Sequence, residues 1–274
     1  MGTRFAPSMT GYLHQGHLYH LITLYALARQ SALPVSLRVE DHDIVRSRPA
    51  YEEALFADLA AFGVSWEGEV VYQRDRMAYY SERLATLKAA GRVYGCACTR
   101  RELRAGCMQG KEAVYPGHCA DKNLPLEGHA VRFRVLPDEQ RFIDGRLGEQ
   151  VQSPATQCGD FVLRDRTGQY SYHFAAVCDD IREGTSLVVR GEDLLAATGR
   201  QLQLYQAFEA TPPRYFHHAL VTDGEGNKLS KRTLAVSLRH QLENGRSAEE
   251  IIAEVLGLDQ PCSFQEAVER ISTG

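Results

Sequence analysis

The sequence predicts an α/β fold: a Rossmann-type parallel sheet, split by an α+β insertion and followed by a short helical C-terminal segment. Three observations predict it. A strand, a helix and a second strand follow one another before Asp41, the pattern of a right-handed βαβ unit. From residue 92 the chain becomes rich in turns, cysteines and arginines. From Ser186 the alternation of strand and helix resumes. The expected divisions are 1–91 and 176–232 for the two halves of the sheet domain, 92–175 for the insertion, and 233–274 for the helical segment.

The first strand runs into Arg4-Phe5-Ala6-Pro7-Ser8-Met9-Thr10-Gly11, a turn bearing Pro and Gly. His14-x-Gly16-His17 then opens a helix ending near Ala32, with Leu18, Leu21, Ile22, Tyr25 and Ala28 on its apolar stripe. Two imidazoles at a helix N-terminus stand where unpaired N–H groups and the dipole favour an anion such as phosphate. Gly16 leaves the space between the two rings free of side chain. Val35 to Asp41 reads as the second strand, delivering Glu40 to its C-terminal end, where open parallel sheets bind ligands.

Pro49 suits the first turn of the next helix, whose stripe is Tyr51, Leu55, Leu59 and Phe62 and whose stop is Gly63. A further helix is expected over Tyr79–Ala90, before Gly91. In the insertion, Cys96-Ala97-Cys98 precedes a basic stretch with Arg100, Arg101, Arg104 and Lys111, then Tyr115-Pro116-Gly117-His118-Cys119. His129–Val135 alternates like a strand, and Phe161–Arg164 with Gln169–Phe174 reads as a hairpin about Asp165-Arg166-Thr167-Gly168. Beyond it come a strand over Ser186–Arg190, a helix over Gly191–Ala210 and a strand over Tyr215–Leu220. A helical tail follows, with Ile251, Ile252, Val255 and Leu256 on one face.

The chain has 274 residues, ordinary apolar and charged fractions and a net charge of −4, so a polyanion would meet only local basic patches. There is no signal-peptide pattern and no apolar run of membrane-spanning length, which predicts a cytoplasmic protein with no membrane partner. Seven cysteines in a reducing compartment read as metal ligands or buried small hydrophobes. Cys-x-Cys with a third Cys after a Gly/Pro turn suits a closed zinc site formed by Cys96, Cys98 and Cys119. Cys158, Cys178 and Cys262 fit buried packing.

The run from Arg4 to His17 resembles the first signature of class I aminoacyl-tRNA synthetases in the form carried by glutamyl enzymes. Lys228-Leu229-Ser230-Lys231-Arg232 resembles the class's second signature, in the expected order. The resemblance implies adenylation, in which a substrate carboxylate attacks the α-phosphorus of ATP and pyrophosphate leaves. It assigns catalysis to His14, His17, Lys228 and Lys231, and ATP binding to His14, Gly16, His17 and Lys231, with Mg2+ accompanying the nucleotide. It implies that L-glutamate is held by Arg4, Phe5, Ala6, Pro7, Ser8, Glu40, Tyr172 and Arg190. Bidentate arginine suits a carboxylate, and a carboxylate suits the ammonium. A strand-end salt bridge stays open for Arg190 and a core aromatic for Tyr172, and the His217-His218 pair is a candidate for adenosine contact.

Related synthetases with a metal site in this segment use Tyr-x-x-x-Cys, which makes Tyr115 the fourth zinc ligand, with His118 and Cys107 in reserve. The chain runs only from Lys231 to Gly274 after the second signature, so an anticodon-binding domain is not expected. This resembles a truncated branch of the glutamyl enzymes. That branch activates glutamate without tRNA and passes it to queuosine at the wobble position of tRNA(Asp). The partners implied are L-glutamate, ATP and the tRNA(Asp) anticodon loop, and a monomer is expected. Met9, His17 and the proline-free Glu40–Arg46 stretch depart from that branch. Two other readings stay open: a glutamate-activating enzyme with another acceptor, a carrier protein or a tRNA end, and an inactive tRNA-binding paralogue.

Overall fold

The computed structural model describes residues 1–43, 45–104, 114–221 and 237–273. In chain order it begins β1 (Thr3–Phe5), α1 (Gln15–Gln30), β2 (Val35–Val39), α2 (Pro49–Ala61), β3 (Val71–Tyr72) and α3 (Met77–Ala89). There follow β4 (Val93–Cys96), α4 (Arg100–Arg104), β5 (Ala130–Phe133), β6 (Gln140–Asp144), β7 (Gly148–Gln152), α5 (Pro154–Gln157) and β8 (Val162–Arg164). The rest is α6 (Tyr172–Glu183), β9 (Leu187–Gly191), α7 (Thr198–Ala207), β10 (Arg214–His218), α8 (Leu238–Glu243), α9 (Ala248–Leu256) and α10 (Phe264–Thr273).

These elements form two compact units. The first comprises Met1–Arg74, Thr185–Asp193 and Tyr215–Gly274, and the second Asp75–Gly184 and Leu194–Arg214. In the first unit β1 and β3 flank β2 in parallel, and Gly2 bridges Thr185 in parallel to bring β9 beside β1. β10 neighbours β9. The parallel α/β sheet expected from the sequence is therefore present.

Leu18, Leu21, Ile22 and Leu24 of α1 are buried on one core with Leu37, Val39, Leu55 and Leu59. The outer side of α1 is covered by the tail: Arg29 pairs with Glu269 at 2.8 Å, Gln15 donates to Glu254 at 3.0 Å, and the Tyr25 and Phe264 rings meet edge to face. Ser247 and Glu250 form a capping box at the start of α9, and Gly257 closes it in the left-handed conformation.

Helix α8 is fastened to α2 by charge. Arg239 lies 3.0 Å from the fully buried Asp58 carboxyl and donates to Ala54 O at 3.1 Å. Burial raises the Asp58 carboxyl to about 6 against the pull of Arg239, and Glu243 adds to the rise. Between its ordinary 3.8 and about 6 the folded chain holds a proton that the unfolded chain has lost, so stability falls as pH rises through that window. Asp58→Asn removes this slope. Urea unfolding at pH 4.5 and pH 7 should show wild type losing about 2 kcal/mol more than the variant across that interval. Parallel losses would assign the proton elsewhere.

In the second unit β4, β5 and β8 form an antiparallel sheet over a core of Tyr80, Phe133, Leu163 and Phe174. Two expectations are corrected here. The segment Gln169–Phe174 is not a strand: it contributes one bridge, Tyr170 to Arg164, and then α6 begins at Tyr172. The apolar pair Tyr172 and Phe174 fits a strand over so short a run, but it continues into the helical stripe Phe174, Val177 and Cys178, closed by left-handed Gly184. The helix expected over Gly191–Ala210 opens instead as a 3-10 turn over Glu192–Ala197, and α7 follows over only Thr198–Ala207.

Candidate active site and metal centre

His14 is the N-cap of α1, in extended backbone. Its Nδ1 accepts from Gly16 N–H at 3.1 Å, while His17 Nδ1 accepts from the His14 N–H at 3.1 Å. The two imidazoles thus form a reciprocal capping box in the manner of a Ser/Glu pair. Because each Nδ1 accepts, each neutral ring carries its proton on Nε2. The ring centroids lie 4.0 Å apart. A Cβ at Gly16 would stand 2.9 Å from His14 Cε1, so only glycine lets the His14 ring fold back onto the helix end. A capping histidine is legible from the sequence at this helix start, but the reciprocal use of both rings is not.

Around this end the chain is tightly tied. Glu40 N–H donates to Pro7 O at 3.0 Å, Met9 N–H donates to Glu40 O at 3.3 Å, and Ser8 bridges Glu40. Arg4, Phe5 and Pro7 are buried, while Ala6 and Ser8 are half-buried. Ser8 Oγ stands 3.3 Å from Thr10 Oγ1. The buried Glu40 carboxylate pairs with Arg38 at 3.6 Å, whereas Asp41 turns to Arg74 at 2.9 Å. Arg190, buried at the end of β9, donates from Nε to His217 Nε2 at 3.0 Å and lies over the Tyr215 ring. This makes His217 a partner of Arg190. His218 Nδ1 donates to Ala219 O at 2.8 Å, and its Nε2 stands 3.1 Å from His20 Nδ1. Burial first, then His218 and Arg4, hold His20 well below its usual range. His20 was not singled out in the sequence, where it reads as one more position of α1. Tyr172, at the start of α6, belongs to the second unit.

Ser237 bridges His14, and Leu238 N–H donates to Leu13 O at 2.8 Å. Lys228, Lys231 and their signature, together with Cys107 and Lys111, lie outside the described residues.

The candidate metal centre lies in the second unit. The sulfurs of Cys96, Cys98 and Cys119 all fall within 4.8 Å of one another, Cys98 and Cys119 at 3.6 Å. The Tyr115 hydroxyl stands 3.4 Å from Cys96 Sγ and 3.7 Å from Cys98 Sγ. A tetrahedral zinc with Zn–S about 2.3 Å and Zn–O about 2.0 Å sets ligand edges of about 3.8 and 3.5 Å. The cluster therefore fits zinc in donor type and spacing. Burial works against the Cys119 thiolate, but the Ala97 N–H, the Tyr115 hydroxyl and the thiols of Cys98 and Cys96 outweigh it and bring the group down to about 7. Burial and then the neighbouring thiols push Tyr115 far up. His118 contacts Tyr115 edge to face. Arg132, which sequence reasoning missed, donates from Nε to Cys96 Sγ at 3.2 Å.

Comparison with known proteins gives the class first. Residues 1–259 match the catalytic domain of the class I tRNA synthetases of the E and Q type, so the chain belongs to that family, whose members are ligases. Among its relatives, the chain is 41% identical over 240 residues to the glutamyl-Q tRNA(Asp) synthetase of Neisseria meningitidis serogroup B, covering 86% of this chain and 81% of that protein. It is 43% identical over 238 residues to the glutamyl-Q tRNA(Asp) synthetase of Chromobacterium violaceum, covering 86% and 80%. In fold it is similar to the crystal structure of glutamate-tRNA synthetase from Elizabethkingia anophelis, with a TM-score of 0.81 at 24% identity over 98% of this chain. The chain spans 65% of the length of that structure.

Proposed function

We propose that the chain activates L-glutamate with ATP, without tRNA, and passes the glutamyl group to queuosine at the wobble position of tRNA(Asp). The observation that carries this reading is the His14–His17 cap, two imidazoles whose Nδ1 atoms accept backbone N–H groups at a helix N-terminus, in a chain similar to glutamyl-Q tRNA(Asp) synthetases.

In the first step a glutamate carboxylate oxygen attacks the α-phosphorus, a new P–O bond forms, and the bond to pyrophosphate breaks. His14 and His17 donate to the phosphate oxygens as charge builds, and Lys231, with Lys228, balances the triphosphate. Mg2+ bound together with ATP would supply charge neutralisation at the phosphates. Arg190, steadied by His217, and Arg4 receive substrate carboxylates, with Ser8 and Tyr172 as hydroxyl donors. Glu40 takes the ammonium, and the backbone of Phe5, Ala6 and Pro7 lines the pocket. In the second step an acceptor group of queuosine attacks the adenylate carbonyl carbon and AMP leaves. Zinc held by Cys96, Cys98, Tyr115 and Cys119 supplies a structural cross-link between the end of β4 and the 115–119 turn. Both steps are carried by one cytoplasmic monomer.

ATP–pyrophosphate exchange across a panel of amino acids, with and without tRNA, tests this. Exchange on glutamate alone is expected, followed by transfer of labelled glutamate to tRNA(Asp) only when it bears queuosine. Exchange that requires tRNA would point to ordinary glutamyl-tRNA synthesis, and none at all to a binding protein.

A further inference from the structure

We propose that Arg132 is the built-in counter-ion of the metal centre, a positioning residue that lets four anionic ligands, one of them a tyrosine, share a single zinc; this rests on the zinc reading above.

Arg132 is 4% exposed, in the middle of β5, where Arg132 pairs with Tyr94 and Ala130 with Cys96. A buried guanidinium normally sits against a carboxylate, because leaving the charge uncompensated in the interior is costly. Arg132 has no such partner: among the described residues no carboxylate makes an ion pair with it. Its Nε–H donates to Cys96 Sγ at 3.2 Å, its Cζ lies 3.6 Å from the centre of the Tyr115 ring, and one terminal nitrogen donates to Asp160 O at 2.5 Å. Two of these three contacts are with proposed ligands. The guanidinium has no carboxylate at ion-pair distance when the cluster is neutral, and it gains a direct counter-charge when the cluster is anionic.

The charge count agrees. Three thiolates and a phenolate around a divalent zinc carry a net charge of two minus, and one guanidinium at this position halves it. The contacts also orient the ligands. The Nε–H fixes one lone pair of Cys96, and the guanidinium over the Tyr115 ring helps hold it with its hydroxyl toward the sulfurs. Tyr115 gains a second hold from the Cys119 N–H, which donates to its oxygen at 3.0 Å.

The test compares wild type, Arg132→Met and Arg132→Lys as full-length protein. Zinc affinity is measured by competition with a chromogenic chelator, and thermal stability is measured with zinc and after stripping. We expect the zinc dissociation constant of Arg132→Met to rise about 10- to 100-fold. Arg132→Lys, which keeps the charge and loses the planar stacking, should fall between. The stripped form of Arg132→Met should melt no lower than stripped wild type, since it no longer buries an uncompensated cation. A merely structural arginine would give the opposite sign, with the stripped form losing as much as the zinc form. Unchanged zinc affinity in folded Arg132→Met, or in Arg132→Lys should the methionine variant not fold, overturns the counter-ion role alone. A wild-type chain that binds no zinc takes down the metal reading and the proposal together.

Discussion

Replacing His14 or His17 with alanine lowers glutamate-dependent ATP–pyrophosphate exchange by at least ~10²-fold, the scale of removing one transition-state donor. Lys231→Ala is expected to do the same. The two histidines do double duty, because their Nδ1 atoms cap α1 while the proposed chemistry uses the Nε2 side of each ring. Losing a cap costs only about 1 kcal/mol, so a stable variant with lost exchange identifies the donor role. His14→Asn sharpens the comparison: asparagine still caps a helix but places no donor where Nε2–H stood. Exchange should stay low in His14→Asn while its melting temperature approaches wild type. Full exchange in both alanine variants would remove the histidines from the chemistry.

The second large effect concerns metal. Purified protein should carry about one zinc per chain, and stripping it should lower the melting temperature by about 10 °C. That figure follows from ~4 kcal/mol of linkage at a thousandfold excess of zinc over its dissociation constant, with each kcal/mol worth roughly 2–4 °C. Cys119→Ser should reproduce the loss without chelator. Its sulfur stands 3.6 Å from Cys98, and the backbone N–H of the same residue fastens Tyr115. Normal folding with no zinc bound would return Cys96, Cys98 and Cys119 to ordinary packing.

Helix α1 could be read from its spacing because Leu18, Leu21 and Ile22 recur with helical period and all three are buried. The error at Gln169–Phe174 has the same root: over six residues a strand and the first turn of a helix share a pattern, and Gly184 ends α6 too far along to arbitrate. Cys96-x-Cys98 puts two thiols at the end of one strand, but the approach of Cys119 and Tyr115 depends on the path of the 115–119 turn, which spacing does not encode. Arg132 was hidden by register. It alternates as an outward residue of β5, and only the pairing with Tyr94 turns that face toward the cysteines. Arg190 was legible as a strand-end arginine, but its hold on His217 was not, since those two residues are brought together by the adjacency of β9 and β10.

The clasp between α1 and α10 sets an order of events during synthesis. Arg29 and its partner Glu269 are 240 residues apart, a separation a ribosome needs on the order of 10–50 s to translate. Throughout that interval the outer side of the histidine-bearing helix has no α10 to cover it. Helix α1 thus emerges long before it is enclosed, and nascent chains stalled before residue 264 should offer α1 to chaperones.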